Sequence, residues 1–278
     1  MFYNCAAMTS APLLPSTSLA SYCYSRMFEY CSSLTEAPTL PATLLANDCY
    51  EYMFSDCISL TEAPVLPATI MRNSCYSSMF SGCTSLTQAP DLPATTLATQ
   101  CYSNMFYNCP ITTPPALPAT TLATGCYEAM FLNCSSLTQS PELPATTLAH
   151  SCYTSMFRGC TSLAQAPELP ATTLAECCYW QMFANCSSLT VAPELPATSL
   201  ERYCYNKMFY GCSNLHYIKV SFTHWVTTAP TSTTNDWTYG LPASGTFICP
   251  NSLTRTKNDY GNTYHAHYIP YNWTISTY

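Results

Sequence analysis

The feature that most constrains the fold of this chain is a repeat of 26 residues that fills the sequence from Met1 to Cys212. The stretch MFSGCTSLTQAPDLPATTLATQCYSN, residues 79–104, is one copy. Copies begin at Met1, Met27, Met53, Met79, Met105, Met130, Met156, Met182 and Met208, and the copy at Met105 has 25 residues. A fixed period of this size predicts a solenoid, in which each coil packs only against its neighbours.

The second half of each repeat has the residue spacing of a short helix. In the segment TTLATQCYSNMF, Leu97, Cys101 and Met105 recur at i, i+4 and i+8, and Phe106 continues an adjoining apolar stripe. This spacing places apolar side chains on one face of a helix, so we expect a helix of two to three turns that faces inward. The fourth residue of most repeats is Asn, Asp or Gly, which tolerate the left-handed conformation that ends a helix.

The first half of each repeat predicts a short strand. Leu86 and Leu92 are separated by small polar residues, and Pro90 and Pro93 cannot donate backbone hydrogen bonds. Only about residues 85–89 are therefore expected to pair as a strand.

The nineteen cysteines follow the repeat. Nine occupy the fifth position: Cys5, Cys31, Cys57, Cys83, Cys109, Cys134, Cys160, Cys186 and Cys212. Eight occupy the twenty-third position: Cys23, Cys49, Cys75, Cys101, Cys126, Cys152, Cys178 and Cys204. Cys177 and Cys249 lie outside both ladders. Free Cys behaves as a small hydrophobic residue, so we expect buried, reduced ladders, with disulfides and a metal site as the alternatives.

The composition argues against two classes of partner. Only 8% of the residues are charged and the formal net charge is −7, whereas nucleic-acid binding needs a basic surface. No stretch has the length and apolarity of a transmembrane segment. The sequence therefore predicts neither a nucleic-acid partner nor a membrane span, and it predicts a surface rich in hydroxyl groups.

The pattern MFxxCxSLTxAPxLPATxLAxxCYxx, from Met1 to about Leu215, resembles the BspA-like leucine-rich repeats of gut Bacteroidetes. Among these it is most similar to the longer Mycoplasma-type variant. The resemblance implies an α/β repeat solenoid of the right-handed leucine-rich-repeat type, with short parallel strands on one face and short helices on the other. It also implies a surface or secreted bacterial protein with a role in adhesion and binding, and no catalytic residues.

We expect two parts in the chain. Residues 1–212 form the leucine-rich-repeat solenoid, with about eight repeats and a partial ninth. Residues 213–278, where the period ends, contain aromatic and β-branched residues between Gly and Asn turns, and predict a β-rich C-terminal cap of three or four strands. The end of this tail also resembles the C-terminal module of BspA-like repeat proteins. His265 and His267 are expected to be cap residues, because no third metal ligand is near them in the sequence.

One candidate binding site is an acidic column on an edge of the strand face. Its carboxylates occupy the tenth and thirteenth repeat positions: Glu36, Glu62, Asp91, Glu142, Glu168 and Glu194. We expect a solvated edge, because charge runs usually keep a surface wet, and the alternatives are that the stacked carboxylates recruit Ca²⁺ or a basic partner.

Nothing in the sequence predicts an enzyme. The five histidines lie at variable positions or in the tail, and no Gly-rich phosphate-binding loop is present. We therefore expect no catalytic residues, no bound metal and no cofactor.

The function predicted is a non-catalytic binding or adhesion module that offers the solenoid surface to a protein or glycan ligand. It is expected on the bacterial cell surface or secreted. The alternative is a structural component of a surface layer or phage particle that assembles, or forms homo-oligomers, through an N-terminal flank that no cap covers.

Overall fold

The computed structural model describes residues 1–226, 232–258 and 267–278, and the repeats form stacked coils. One continuous cluster of buried hydrophobic side chains runs from Leu14 to Trp273. The solenoid predicted from the period is therefore present, and its core extends into the tail.

The expectation of short helices is wrong, because the described residues contain no helix. In the segment predicted as helical, Gln100, Asn104 and Asn108 have φ values of 53°, 54° and 58°. A right-handed helix requires φ near −63° at every residue. The left-handed residues recur every four positions in each coil, so the segment is a series of tight turns.

Hydrogen bonds explain why this turn segment is stable. Alternate N–H groups close turns within the coil: that of Cys101 donates to the Ala98 carbonyl at 3.3 Å. The N–H groups between them donate to the next coil, as Tyr102 does to the Cys126 carbonyl at 3.0 Å. Backbone donors are therefore satisfied without a helix, half within one coil and half between coils.

The side chains of this segment form columns along the solenoid. Phenylalanines at the second position stack from Phe2 to Phe209, and tyrosines at the twenty-fourth position stack from Tyr24 to Tyr205. Neighbouring ring centroids in both columns are 5.6 to 6.0 Å apart and the rings are nearly parallel. This separation with parallel planes is an offset stack, which aromatic pairs favour.

The expectation of buried cysteine ladders is confirmed from the second coil onward. All nineteen cysteines are free, and all except Cys5 and Cys23 are buried. Thiols of the fifth-position ladder also donate hydrogen bonds to phenylalanine carbonyls of the preceding coil, as Cys57 does to Phe28 at 3.1 Å. This ladder thus contributes both packing and polar contacts between coils.

The strand face of the repeats consists of isolated parallel bridges rather than strands. At the tenth position Glu36 bridges Glu62, and Gln88 bridges Thr113. At the eighteenth position Thr121 bridges Thr147. The prolines between these positions remove backbone donors, which limits pairing to single residues.

Longer strands appear only in the tail, among the described residues. They are β1 (Tyr217–Lys219), β2 (Thr246–Cys249) and β3 (Thr274–Thr277), and they form a parallel sheet in the order β1-β2-β3. Val191 of the last full repeat bridges Tyr217, so the sheet extends the tenth-position column of bridges. The division at residue 212 remains a prediction.

Two histidines of the tail, His265 and His267, are predicted to belong to the cap. His265 lies outside the described residues, whereas His267 is half-buried beside Tyr268.

Within the described residues, no helix has the length and apolarity needed to cross a bilayer.

Candidate functional site

The candidate site is the face of the solenoid formed by the segment xAPxLP of each repeat. In this segment the leucine points inward, as Leu143 and Leu169 do, each at 4% exposure. The residues around it alternate between buried and exposed, so Glu142 and Pro144 lie on the surface on either side of Leu143. This alternation arises because proline holds the segment extended.

Shallow grooves run between neighbouring coils on this face. One of about 490 Å³ lies between the sixth and seventh coils and is lined by Ser140, Pro141, Glu142, Leu143, Pro144, Pro167, Glu168 and Pro170. A second, of about 230 Å³, lies between the second and third coils and is lined by Ala37, Pro38, Thr39, Leu40, Pro41, Pro64, Val65 and Pro67. A third, of about 300 Å³, lies between the seventh and eighth coils, near Gln165 and Pro193. The first two grooves occupy the same proline segment of the repeat, whereas the third lies at the ninth to twelfth repeat positions.

All six carboxylates of the predicted acidic column are exposed. The structure brings them together in small groups. Glu36 and Glu62 are bridged in adjacent coils, and Glu142 and Glu168 line the same groove. Asp91 lies in the fourth coil at the thirteenth position. The six carboxylates thus form two rows along the solenoid, one at the tenth repeat position and one at the thirteenth.

The last carboxylate of the row has a basic neighbour. Lys219 Nζ donates to Glu194 Oε1 at 2.7 Å, and this hydrogen bond is the main cause that raises the pKa of Lys219. Because both side chains are solvent-accessible, the ion pair adds little to stability. Its effect is to reduce the negative charge at this end of the row.

The grooves were not anticipated from the sequence. The prolines of APxLP predict only that strand pairing is limited. The recurrence of the LP proline, which is exposed in most coils, is a signal that rigid apolar edges line one face, whereas the AP proline is mostly buried.

Two described histidines contact nearby residues of the chain. His216 Nδ1 is 3.0 Å from the carbonyl oxygen of Asn214, and His224 Nδ1 is 3.4 Å from Thr223 Oγ1. These contacts hold each ring beside a neighbouring loop residue.

The family model described as "BspA type Leucine rich repeat region" matches the chain with six copies, over residues 1–138, 50–190 and 124–232. No curated protein sequence matches the chain.

Two solved structures are similar to the chain. A leucine-rich cell surface protein from Faecalibacterium prausnitzii A2-165 is 17% identical, with a TM-score of 0.46 over 99% of this chain and 75% of that one. A leucine-rich repeat protein from Bacteroides ovatus is 15% identical, with a TM-score of 0.38 over 98% and 85% of the two chains.

Proposed function

The chain belongs to the BspA-type leucine-rich repeat family, and from this premise we propose that it is a non-catalytic binding module. Its ligand is a protein or a glycan, and the binding surface is the proline-lined face. The proposed location is the bacterial cell surface or the secreted state, as the family resemblance implies, with a phage particle as the alternative.

The observation that carries this proposal is the recurrence of grooves between neighbouring coils on one face. The first two grooves have proline rings along their edges, with Thr39 as a polar position in one and Glu142 and Glu168 in the other. Because grooves occur at several points along the stack, an extended ligand contacts several coils at once, and weak contacts add up.

The side chains of the groove between the sixth and seventh coils favour a ligand with hydrogen-bond donors. Glu142 and Glu168 are acceptors on opposite coils, and the Ser140 hydroxyl lies beside them. Sugar hydroxyls and the basic side chains of a protein both supply donors to carboxylates. The rings of Pro144 and Pro170 supply apolar contact to a sugar face or an aliphatic side chain.

The experiment is an array screen of glycans and host proteins with the purified chain, followed by affinity measurements on the best ligand. Glu168→Gln is expected to weaken binding at least about tenfold, since it removes a charged acceptor from the groove. The matched control is Glu201→Gln, an exposed glutamate at the twentieth repeat position, which should leave affinity unchanged. Equal affinity of both variants for every ligand found would contradict the proposed face.

Two further observations distinguish a binding module from an enzyme and from an assembly component. A ligand recovered chemically unchanged after incubation agrees with a non-catalytic module, and a modified ligand refutes it. A chain that forms stable oligomers in solution and binds nothing on the arrays would favour the structural alternative.

A further inference from the structure

A second cluster of chemically active side chains lies away from the proline-lined face, between the sixth and seventh coils. His150, Glu176 and Cys177 each direct one potential metal-ligand atom into it, and these atoms all lie within 4.8 Å of one another. His150 and Glu176 occupy the twenty-first position of adjacent coils, and Cys177 directly follows Glu176. The stacking of the coils therefore creates a set of three ligands that are separated in the sequence.

Cys177 is not part of the core ladders. It occupies the twenty-second position, where the other complete repeats have Tyr, Asp, Ser, Gln or Gly. A thiol here does not serve the repeated packing that explains the fifth and twenty-third positions. It places a sulfur ligand beside a histidine and a carboxylate at a single point of the solenoid.

Backbone contacts hold the three residues in place. The Cys177 N–H donates to the Arg202 carbonyl at 3.0 Å, and the Cys177 carbonyl accepts a hydrogen bond of 2.7 Å from Thr154 Oγ1. The N–H of Ser151, next to His150, donates to the Glu176 carbonyl at 3.1 Å. The positions of the Cβ atoms are thus set by the ladder between coils, which reduces the entropy lost on binding a ligand.

The charges around the cluster favour a cation. The Glu176 carboxylate lies within 4.8 Å of the Cys177 thiol and of a His150 ring nitrogen. Glu128 of the fifth coil is a second carboxylate near the cluster. A bound metal ion supplies positive charge to these carboxylates and stabilises the thiolate form of Cys177.

One existing contact competes with this role. Arg202 Nη1 lies 3.0 Å from Glu176 Oε1, and its guanidinium lies over the Tyr203 ring at 4.9 Å from the centroid. The two charged side chains are 46% and 41% exposed, so their ion pair is weak and easily exchanged.

We propose that His150, Glu176 and Cys177 form a binding site for a divalent transition metal, which joins the sixth and seventh coils. Zn²⁺ is the preferred ion. Nitrogen, oxygen and sulfur ligands together suit Zn²⁺, whereas Ca²⁺ and Mg²⁺ require oxygen ligands. Zinc–ligand bonds of about 2.0 to 2.3 Å need ligand atoms roughly 3.5 Å apart, which small rotations of the exposed His150 and half-buried Glu176 achieve. Water completes the tetrahedron as the fourth ligand.

The test is titration of the reduced chain with Zn²⁺ against a chromophoric chelator, with Co²⁺ as the spectroscopic probe. We expect one Co²⁺ per chain with a thiolate-to-metal charge-transfer band. Cys177→Ser should abolish the band, and Cys177→Ser, His150→Ala and Glu176→Gln should each weaken Zn²⁺ binding at least about tenfold. Circular dichroism verifies that each variant keeps the wild-type spectrum.

Matched controls distinguish this site from adventitious binding. Cys23→Ser removes an exposed thiol of the first coil and His216→Ala an exposed histidine, and neither should alter the affinity or the band. Arg202→Gln frees Glu176 and should tighten Zn²⁺ binding several-fold. The proposal is overturned if Cys177→Ser binds Zn²⁺ as wild type does, if the Co²⁺ band persists in that variant, or if Arg202→Gln leaves the affinity unchanged or weaker.

Discussion

The thiol of Cys83 donates a hydrogen bond to the backbone carbonyl oxygen of Phe54, 3.1 Å away in the preceding coil. The N–H of Cys57, in the same coil as Phe54, donates to that oxygen at 3.1 Å. One carbonyl therefore accepts bonds from two coils, and the sulfur atom that fills the core also links the stack.

Replacing this thiol should destabilise the solenoid. Cys83→Ala removes the donor and leaves a small cavity at a fully buried position, so we expect a loss of about 1 to 3 kcal/mol in the free energy of unfolding. Urea denaturation measures it. The neighbouring Thr84→Ala, at an exposed position, is the control and should be near neutral. A Cys83→Ala variant as stable as the control would contradict a structural role for this ladder.

The aromatic column predicts a larger effect. Phe106 is fully buried between the rings of Phe80 and Phe131, at centroid distances of 5.9 and 5.7 Å. Phe106→Ala should cost about 3 to 5 kcal/mol. Leu97 packs against the core but is only half-buried, so Leu97→Ala should cost less. The exposed Asp91→Ala should be near neutral, and denaturant titration of all three gives the order of their effects.

The left-handed positions predict coupling between two coils. Gly159 has φ of 75°, and a methyl group added there would meet Asn133 Oδ1 of the preceding coil. Gly159→Ala should therefore destabilise the chain by about 1 to 2 kcal/mol, through strain and this contact. In an Asn133→Gly background, the destabilisation caused by Gly159→Ala should be smaller by about 0.5 kcal/mol or more. Strict additivity in this double-mutant cycle would show that the two coils do not meet here.

Thiol accessibility predicts a reaction in two phases. Cys5 and Cys23 are exposed and the other seventeen cysteines are buried, so an aromatic disulfide reagent should modify two thiols quickly in the native chain. The remaining thiols should react only after denaturation. Cys5→Ser together with Cys23→Ser should eliminate the fast phase. A fast phase of many thiols would mean that the ladders are open to solvent.

Burial of the thiols predicts loss of stability in alkali. Burial raises the pKa of Cys57 from its ordinary value of 9.0 to about 12, and that of Cys49 to about 11. A folded-state pKa above the unfolded one gives stability that is complete below about pH 9 and is lost as the pH rises toward 12. Each such thiol contributes a slope of up to about 1.4 kcal/mol per pH unit in that window.

The measurement is the free energy of unfolding between pH 8 and pH 11, in reducing buffer. Cys57→Ala should be less stable at pH 8 but should lose stability less steeply than the wild type above about pH 9. Parallel pH profiles of the two proteins would refute a role for the Cys57 thiol in this dependence.

The repeat by itself determined the solenoid and the choice of inward side chains. A period of 26 residues leaves no other way to bury Phe106, Tyr102 and Cys101 than in columns shared by neighbouring coils. Asn, Asp and Gly tolerate positive φ, so the sequence also predicts a left-handed residue at the fourth repeat position. Asn108, Gly159 and the other residues at this position are left-handed.

The tertiary structure alone decided the backbone conformation between these side chains. A series of turns with a left-handed residue every fourth position buries residues at i, i+4 and i+8, and an α-helix of 3.6 residues per turn does the same. The two differ in where the N–H groups of residues such as Tyr102 find acceptors. Here the acceptor is in the next coil, which no spacing within one repeat reveals.

The proximity of His150 to Cys177 was likewise decided by the fold. The two residues are far apart in the sequence and share no motif, so their proximity depends on the register in which the sixth and seventh coils stack. Sequence patterns identify which faces are buried because burial follows the hydrophobicity of each side chain. Contacts across coils depend on the hydrogen-bonded register between backbones, which only the assembled structure contains.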